Sequence, residues 1–163
     1  MELRFTGKVQ GGRGGFRNKI LLPDASRLYD GGWIGELKQG TFNIRVQNLN
    51  LHTENEIRFQ EFGVRKLDLL DGFPPQVYLR WDVVPHNTIT PSTDCPQAGD
   101  LQFWRAQLTC VGKTDRRRCY MLRRVNSGYH DTIELLSDVL FREEFGLVDG
   151  DPVDLRVFSI DAF

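Results

Sequence analysis

Long apolar runs are missing from this chain of 163 residues. No stretch approaches the ~18–20 apolar residues that cross a bilayer, so no membrane span is expected. Cysteine is scarce. Cys95, Cys110 and Cys119 are odd in number and form no CxxC pair, which argues against a disulfide framework and against a thiolate zinc site. Cys110 and Cys119 fall in strand-like runs and read as free thiols, in the core or exposed. The opening residues Met1-Glu2-Leu3-Arg4-Phe5 lack the apolar stretch of a secretory signal. A reducing cytoplasm is therefore the expected compartment. No charge of one sign dominates: 21 Lys+Arg stand against 22 Asp+Glu, a formal net charge of −1. That balance lacks the electrostatic footprint of a dedicated nucleic-acid binder. No internal repeat is visible, and no bias toward collagen, coiled coil or disorder. The 40% hydrophobic and 26% charged residues suit an ordinary globular protein. The whole chain, 1–163, reads as one domain, long enough to bury a core without disulfides or metal.

What is present is a succession of short strands. Leu3–Gln10 carries Phe5 and Val9 and reads as a strand running into Gly11-Gly12-Arg13-Gly14-Gly15. Asp24 is a candidate N-cap for a short helix through Tyr29, stopped by Gly31-Gly32. Thr41–Val46 alternates polar and apolar residues, as a half-buried strand does. A helical turn is expected at Val64–Leu70 and a strand at Gln76–Val84. Pro85–Gly99, with three prolines among Asn, Thr and Ser, reads as an excursion loop rather than a linker. Leu101–Val111 and Arg117–Val125 form a hairpin about Gly112-Lys113-Thr114-Asp115. Thr132–Leu136 is a short strand, Asp138–Phe145 one or two helical turns ended by Gly146, and Val153–Phe158 a last strand. Six or so strands at this spacing suggest a closed β-barrel or a sandwich. A barrel has the merit that closure removes sheet edges.

Four constellations bear on chemistry. Glycines at 11, 12, 14 and 15 permit close approach of backbone to a ligand, and exposed N–H groups in succession bind anions. Arg13 and Arg17 add charge suited to phosphate. The loop is neither a Walker A loop nor a dinucleotide fingerprint, since no Gly-Lys-Ser/Thr and no βαβ unit follow; a plain hairpin loop is the alternative. Thr41 and Asn43 share a face of their strand. Two neutral oxygens there suit a Mg²⁺ whose other ligands are water and phosphate; polar residues on a wet strand face are the alternative. Ser127-Gly128-Tyr129-His130-Asp131, with Glu134 nearby, offers a general base for a hydroxyl nucleophile, or simply a polar turn. Arg116-Arg117-Arg118 and Arg123-Arg124 read as a solvated basic edge, with a phosphate or nucleic-acid role as the other reading.

The order of these pieces resembles the CTP-dependent riboflavin kinases known from archaea, a cradle-loop β-barrel family. The resemblance is carried by Gly7-Lys8-Val9-Gln10-Gly11-Gly12-Arg13-Gly14, by Gln39-Gly40-Thr41-Phe42-Asn43-Ile44, and most strongly by Tyr129-His130-Asp131-Thr132-Ile133-Glu134-Leu135-Leu136. It continues through Phe141-Arg142-Glu143-Glu144-Phe145-Gly146-Leu147 and Asp149-Gly150-Asp151. It covers both ends of the chain and little of the stretch from about Leu51 to Leu101. It implies a six-stranded barrel of that type, with one or two short helices, that binds CTP and riboflavin as small-molecule ligands. Thr41 and Asn43 would then hold Mg²⁺, and the Gly11–Gly15 loop would cover the nucleotide. Val139, Leu140, Phe141 and Arg142 would border the nucleotide, and Ser127 and Glu134 the flavin. Asp138 opens the nucleotide-bordering segment, where the family often has Pro or a small residue.

The expectation is phosphoryl transfer from CTP to the terminal ribityl hydroxyl of riboflavin, with Glu134 orienting or deprotonating that hydroxyl. Catalysis of this kind is mostly positioning and charge neutralisation. The alternative is a non-catalytic nucleotide- or flavin-binding, or protein-interaction, module on the same barrel. A DNA-binding relative is disfavoured by the balanced charge.

Overall fold

In the first strand, β1 (Glu2–Gln10), every second residue is buried, so Leu3, Phe5, Gly7 and Val9 face inward and Arg4, Thr6 and Lys8 outward. This period-two pattern sets the sides of the whole sheet. The computed structural model describes residues 2–11, 26–38, 41–50, 73, 75–79, 101–124 and 132–160, without the side chains of 47–50, 79 and 124. The further strands are β2 (Phe42–Asn50), β3 (Val77–Leu79), β4 (Leu101–Cys110), β5 (Arg116–Arg124), β6 (Thr132–Leu136) and β7 (Pro152–Phe158). All pairings are antiparallel. Six strands close in the order β4-β5-β6-β2-β1-β7, with β7 returning to β4, and β3 lies outside on β4. The expected six-stranded barrel is thus present, with one extra strand within the expected Gln76–Val84 run.

β4 changes partner along one edge, from β3 at Leu101–Phe103 to β7 at Ala106–Cys110. The fork would strand backbone groups, which rarely stay unpaired when buried. Gln76 fills it: its Oε1 accepts from the Arg105 N–H at 2.8 Å and its Nε2 donates to the Phe158 carbonyl at 3.0 Å.

Two apolar clusters result. Alternate inward residues, among them Phe5, Ile44, Trp104, Met121, Ile133 and Leu155, fill the barrel. The opposite faces of β4, β5 and β6 carry Leu101, Phe103, Tyr120, Leu122 and Leu136. These are covered by Leu28 of α1 (Ser26–Tyr29) and by Trp33 and Ile34, which follow a 3₁₀ turn (Asp30–Gly32). Trp33 Nε1 donates to the Cys119 carbonyl at 2.8 Å, and the Arg105 and Arg118 guanidinium groups lie 5.4 and 4.7 Å from its ring centroid.

The second helix, α2 (Phe141–Phe145), is shorter than the expected Asp138–Phe145. Asp138 is engaged elsewhere: its Oδ2 accepts from the Gly35 N–H at 2.7 Å, and the Ser137 hydroxyl lies 3.2 Å from Oδ1. Leu140 is extended and begins the helix. Gly146 ends it at φ 64°, a left-handed conformation that favours glycine. Phe141, Phe145 and Leu147 join the barrel core.

The basic hairpin departs from a simple solvated edge. Arg117 pairs with Glu144 at 2.8 Å and lies over the Phe145 ring at 5.7 Å, so it braces α2, while Arg118 stacks on Trp33. Asp24, Val64–Leu70 and Pro85–Gly99 lie outside the described residues. Among those described, no helix is long and apolar enough to cross a membrane.

Candidate functional site

The sheet brings distant segments of the sequence side by side. β1 pairs with β2 so that Gln10 stands opposite Asn43, and β2 pairs with β6 so that Asn43 stands opposite Glu134. Their inward neighbours Val9, Ile44, Ile133 and Leu135 belong to the barrel core, so Gln10, Asn43 and Glu134 form a polar row across the outer face. Thr132 shares that face, and its Oγ1 accepts from Gln10 Nε2 at 2.6 Å. Gly11, the first residue of the glycine loop, follows Gln10 directly.

Apart from the half-buried Gln10, this row is buried although it is polar. Asn43 is 5% exposed, Glu134 6% and Thr132 7%. Asn43 Nδ2 makes two long contacts with Thr41, 3.4 Å to Oγ1 and 3.5 Å to the carbonyl. Among the described residues, Asn43 Oδ1 has no hydrogen-bond partner. A buried acceptor left unsatisfied costs about 1–3 kcal/mol. An orphan oxygen of this kind calls for an explanation, and a bound ion or water is one that polar satisfaction allows.

Next to the row lies a cleft of about 220 Å³. Thr41 and Phe42 contribute from the start of β2, Leu135 and Ser137 from β6 and its end, and Val139–Glu143 from the approach to α2 and its first turn; Lys38 completes the lining. Its apolar wall is aromatic: Phe42 meets Phe141 edge to face at 5.2 Å, and Phe141 stacks on Phe145 at 6.1 Å. Arg142 pairs with Asp149, and Asp138, although it precedes Val139, is held by Gly35 and does not line the cleft.

Thr41 and the predicted segment Val139, Leu140, Phe141 and Arg142 therefore line one cleft, with Asn43 and Glu134 on the adjoining strand face. Gly12, Arg13, Gly14, Gly15 and Ser127 lie outside the described residues, as do Arg17 and Tyr129–Asp131. Sequence reasoning missed Gln10, Lys38, Ser137 and Glu143. Only Gln10, last in an alternating strand, carried a signal, its outward parity.

The donors suit Mg²⁺. It is a hard cation that takes oxygen ligands, often few of them from protein. Thr41 Oγ1 and the Asn43 amide are neighbours, and Oδ1 is unpartnered. Turning the amide about its terminal bond exchanges Oδ1 and Nδ2, so the oxygen can face either way. Among the described residues no group of three or more His, Cys, Asp and Glu is disposed to hold a metal. A Mg²⁺ held here would draw its remaining ligands from water and phosphate.

Fold and site together define a closed six-stranded antiparallel β-barrel with an aromatic-walled cleft beside a buried polar row. No protein-family model matches the sequence, and no curated protein matches it.

Proposed function

We propose that the chain is a CTP-dependent riboflavin kinase, transferring the γ-phosphoryl group of CTP to the terminal ribityl hydroxyl of riboflavin. The observation that carries this reading is the buried Asn43 amide, whose Nδ2 faces Thr41 and whose Oδ1 has no partner among the described residues, next to a cleft that Thr41 lines together with Val139–Arg142. It is where a metal-bridged triphosphate would need a neutral oxygen. The resemblance of three motifs in order supplies the substrate pair.

In this reading the ribityl oxygen attacks the γ-phosphorus, the bond from that phosphorus to the β–γ bridging oxygen breaks, and CDP and FMN form. Glu134 orients the hydroxyl and takes its proton. Phe42, the partly buried ring of the cleft, forms the wall against which the base lies. Lys38, which lines the same cleft and whose backbone N–H donates to the Ser137 carbonyl at 2.9 Å, supplies positive charge for the phosphates. Mg²⁺, held by Thr41 and Asn43, would neutralise charge on the phosphates, the main need of this chemistry.

Thr41→Val and Asn43→Leu test the reading by titration calorimetry with a nucleoside triphosphate, with and without Mg²⁺. Each substitution should weaken Mg²⁺-dependent binding by about tenfold or more, equal to ~1.4 kcal/mol, while the melting temperature stays near the parent's. Binding equal to the parent's in both variants would refute the metal assignment.

A further inference from the structure

Resting on the nucleotide reading of the cleft, we propose that Asp138 is a positioning residue, which fastens the backbone of Gly35 so that Lys38 stands at the cleft wall. The segment that brings Lys38 there, residues 35–38, belongs to no helix or strand. Its backbone donors therefore need tertiary partners. The Gly35 N–H donates to Asp138 Oδ2 at 2.7 Å, the Leu37 N–H to the Tyr29 hydroxyl at 3.2 Å, and the Lys38 N–H to the Ser137 carbonyl at 2.9 Å. The first is the shortest of the three and has an ionised acceptor, so it is the strongest. Gly35 permits the approach, because a Cβ there would stand 3.1 Å from the same carboxylate oxygen.

The carboxylate is poorly placed for any other task at the cleft. It does not line the wall, and a negative charge directly before the lining residue Val139 repels a polyanion. It also competes with its own neighbour. The Ser137 hydroxyl has one proton, which it donates to the Arg118 carbonyl at 2.9 Å, and Asp138 Oδ1, 3.2 Å from the same hydroxyl, is a second acceptor for it. What Asp138 does satisfy is Gly35. Gly35 and Lys38 are thereby both tied to residues 137 and 138 at the end of β6, and Lys38 is brought to the wall that Ser137 and Val139 also line. The Lys38 side chain makes no hydrogen bond or ion pair with any described residue, so its place depends on its backbone.

The test measures the Kd of Mg-CTP for the parent, Asp138→Ala, Asp138→Asn, Lys38→Ala and the double variant Lys38→Ala with Asp138→Ala, with melting temperatures as the check on folding. Lys38→Ala should weaken binding about tenfold, the scale of one hydrogen bond to a charged group. Asp138→Ala should weaken it about fivefold in the parent but less than about twofold where Lys38 is already alanine, because residues that act through one contact do not add. Asparagine keeps an oxygen for the Gly35 N–H and offers its amino group to the Ser137 hydroxyl, so Asp138→Asn should bind at least as tightly as the parent. A purely structural role for Asp138 would cost the same factor in both backgrounds, and that result would overturn the inference. So would parent-like binding by Asp138→Ala or by Lys38→Ala, or a loss in Asp138→Asn equal to that in Asp138→Ala. In each of these cases the nucleotide reading stands. If the parent binds no Mg-triphosphate, that reading fails and the inference with it.

Discussion

Gly7 sits in the middle of β1, where the register with β2 shifts between Thr6 and Gly7. A Cβ built there would lie 2.7 Å from the Arg45 carbonyl oxygen, closer than the 3.0 Å that real Cβ atoms essentially never breach. The clash is with backbone, so Gly7→Ala must part β1 from β2 by several tenths of an ångström. β1 is also paired with β7, and the barrel closes through both, so the displacement has no free edge to relax into. Overpacking of this kind costs about 1–3 kcal/mol. Against it stands the gain from stiffening the unfolded chain, ~0.4–1 kcal/mol for a tolerated Gly→Ala change. A net loss of about 1–2 kcal/mol lowers the melting temperature by roughly 2–8 °C for a chain of this size. Gly11→Ala is the comparison, because a Cβ there meets nothing within 4 Å among the described residues; it should lie within ~0.5 kcal/mol of the parent. Urea and thermal unfolding, followed through the buried Trp33 and Trp104, read both. The consequence reaches the site, since the same register sets Gln10 opposite Asn43. A Gly7→Ala protein as stable as the parent would refute the close-approach argument.

Further expectations follow from the ionisable groups. Burial pushes the Cys119 thiol far above its ordinary range, and the Asp138 carboxylate adds to this; burial also raises Cys110, against an opposing pull from Lys113. Both thiols should therefore resist a thiol reagent at pH 8 in the native protein and react fully once it is unfolded, as peptide mass spectrometry would show; rapid native labelling of Cys119 would contradict its burial. Burial draws the Glu2 carboxyl upward, but hydrogen bonds and charge from Arg156 and Arg4 together outweigh it and hold Glu2 below its ordinary value. A carboxyl lowered in the folded state stabilises above its unfolded pKa and loses that contribution as pH falls through its folded one. Glu2→Gln should thus be less stable than the parent near neutrality, by about 0.5 kcal/mol for a partly exposed pair. The difference should fade below about pH 4; a gap that widens on acidification would reverse the assigned sign.

Strand positions were legible where turn chemistry and composition agreed. β6 has the bounds read from Thr132–Leu136, although all five residues are buried and no alternation marks it; its β-branched and apolar content was enough. The start of α2 was not legible, because Asp138 reads as a helix opener until Gly35, 103 positions away in sequence, takes its carboxylate. The outer apolar cluster was hidden for a related reason. β4 carries Leu101 and Phe103 on one face and Trp104 and Ala106 on the other, and only the arrival of Trp33 explains both. At the candidate site, motif order singled out Thr41, Asn43, Glu134 and Val139–Arg142, and of these Thr41 and Val139–Arg142 line the cleft. Lys38, Ser137 and Glu143 were not singled out, since no spacing marks them and each acquires a setting only when the cleft forms.

Group transfer is the reaction proposed for this barrel, and FMN formation reads it out. Purified protein is incubated with riboflavin, Mg²⁺ and each nucleoside triphosphate in turn, and the products are separated by chromatography. FMN and CDP should appear in equal amounts with CTP, and Glu134→Gln should abolish both while its melting temperature stays near the parent's. A parent that forms no FMN with any triphosphate, and that loses its fold when Glu134 is changed, would contradict the account.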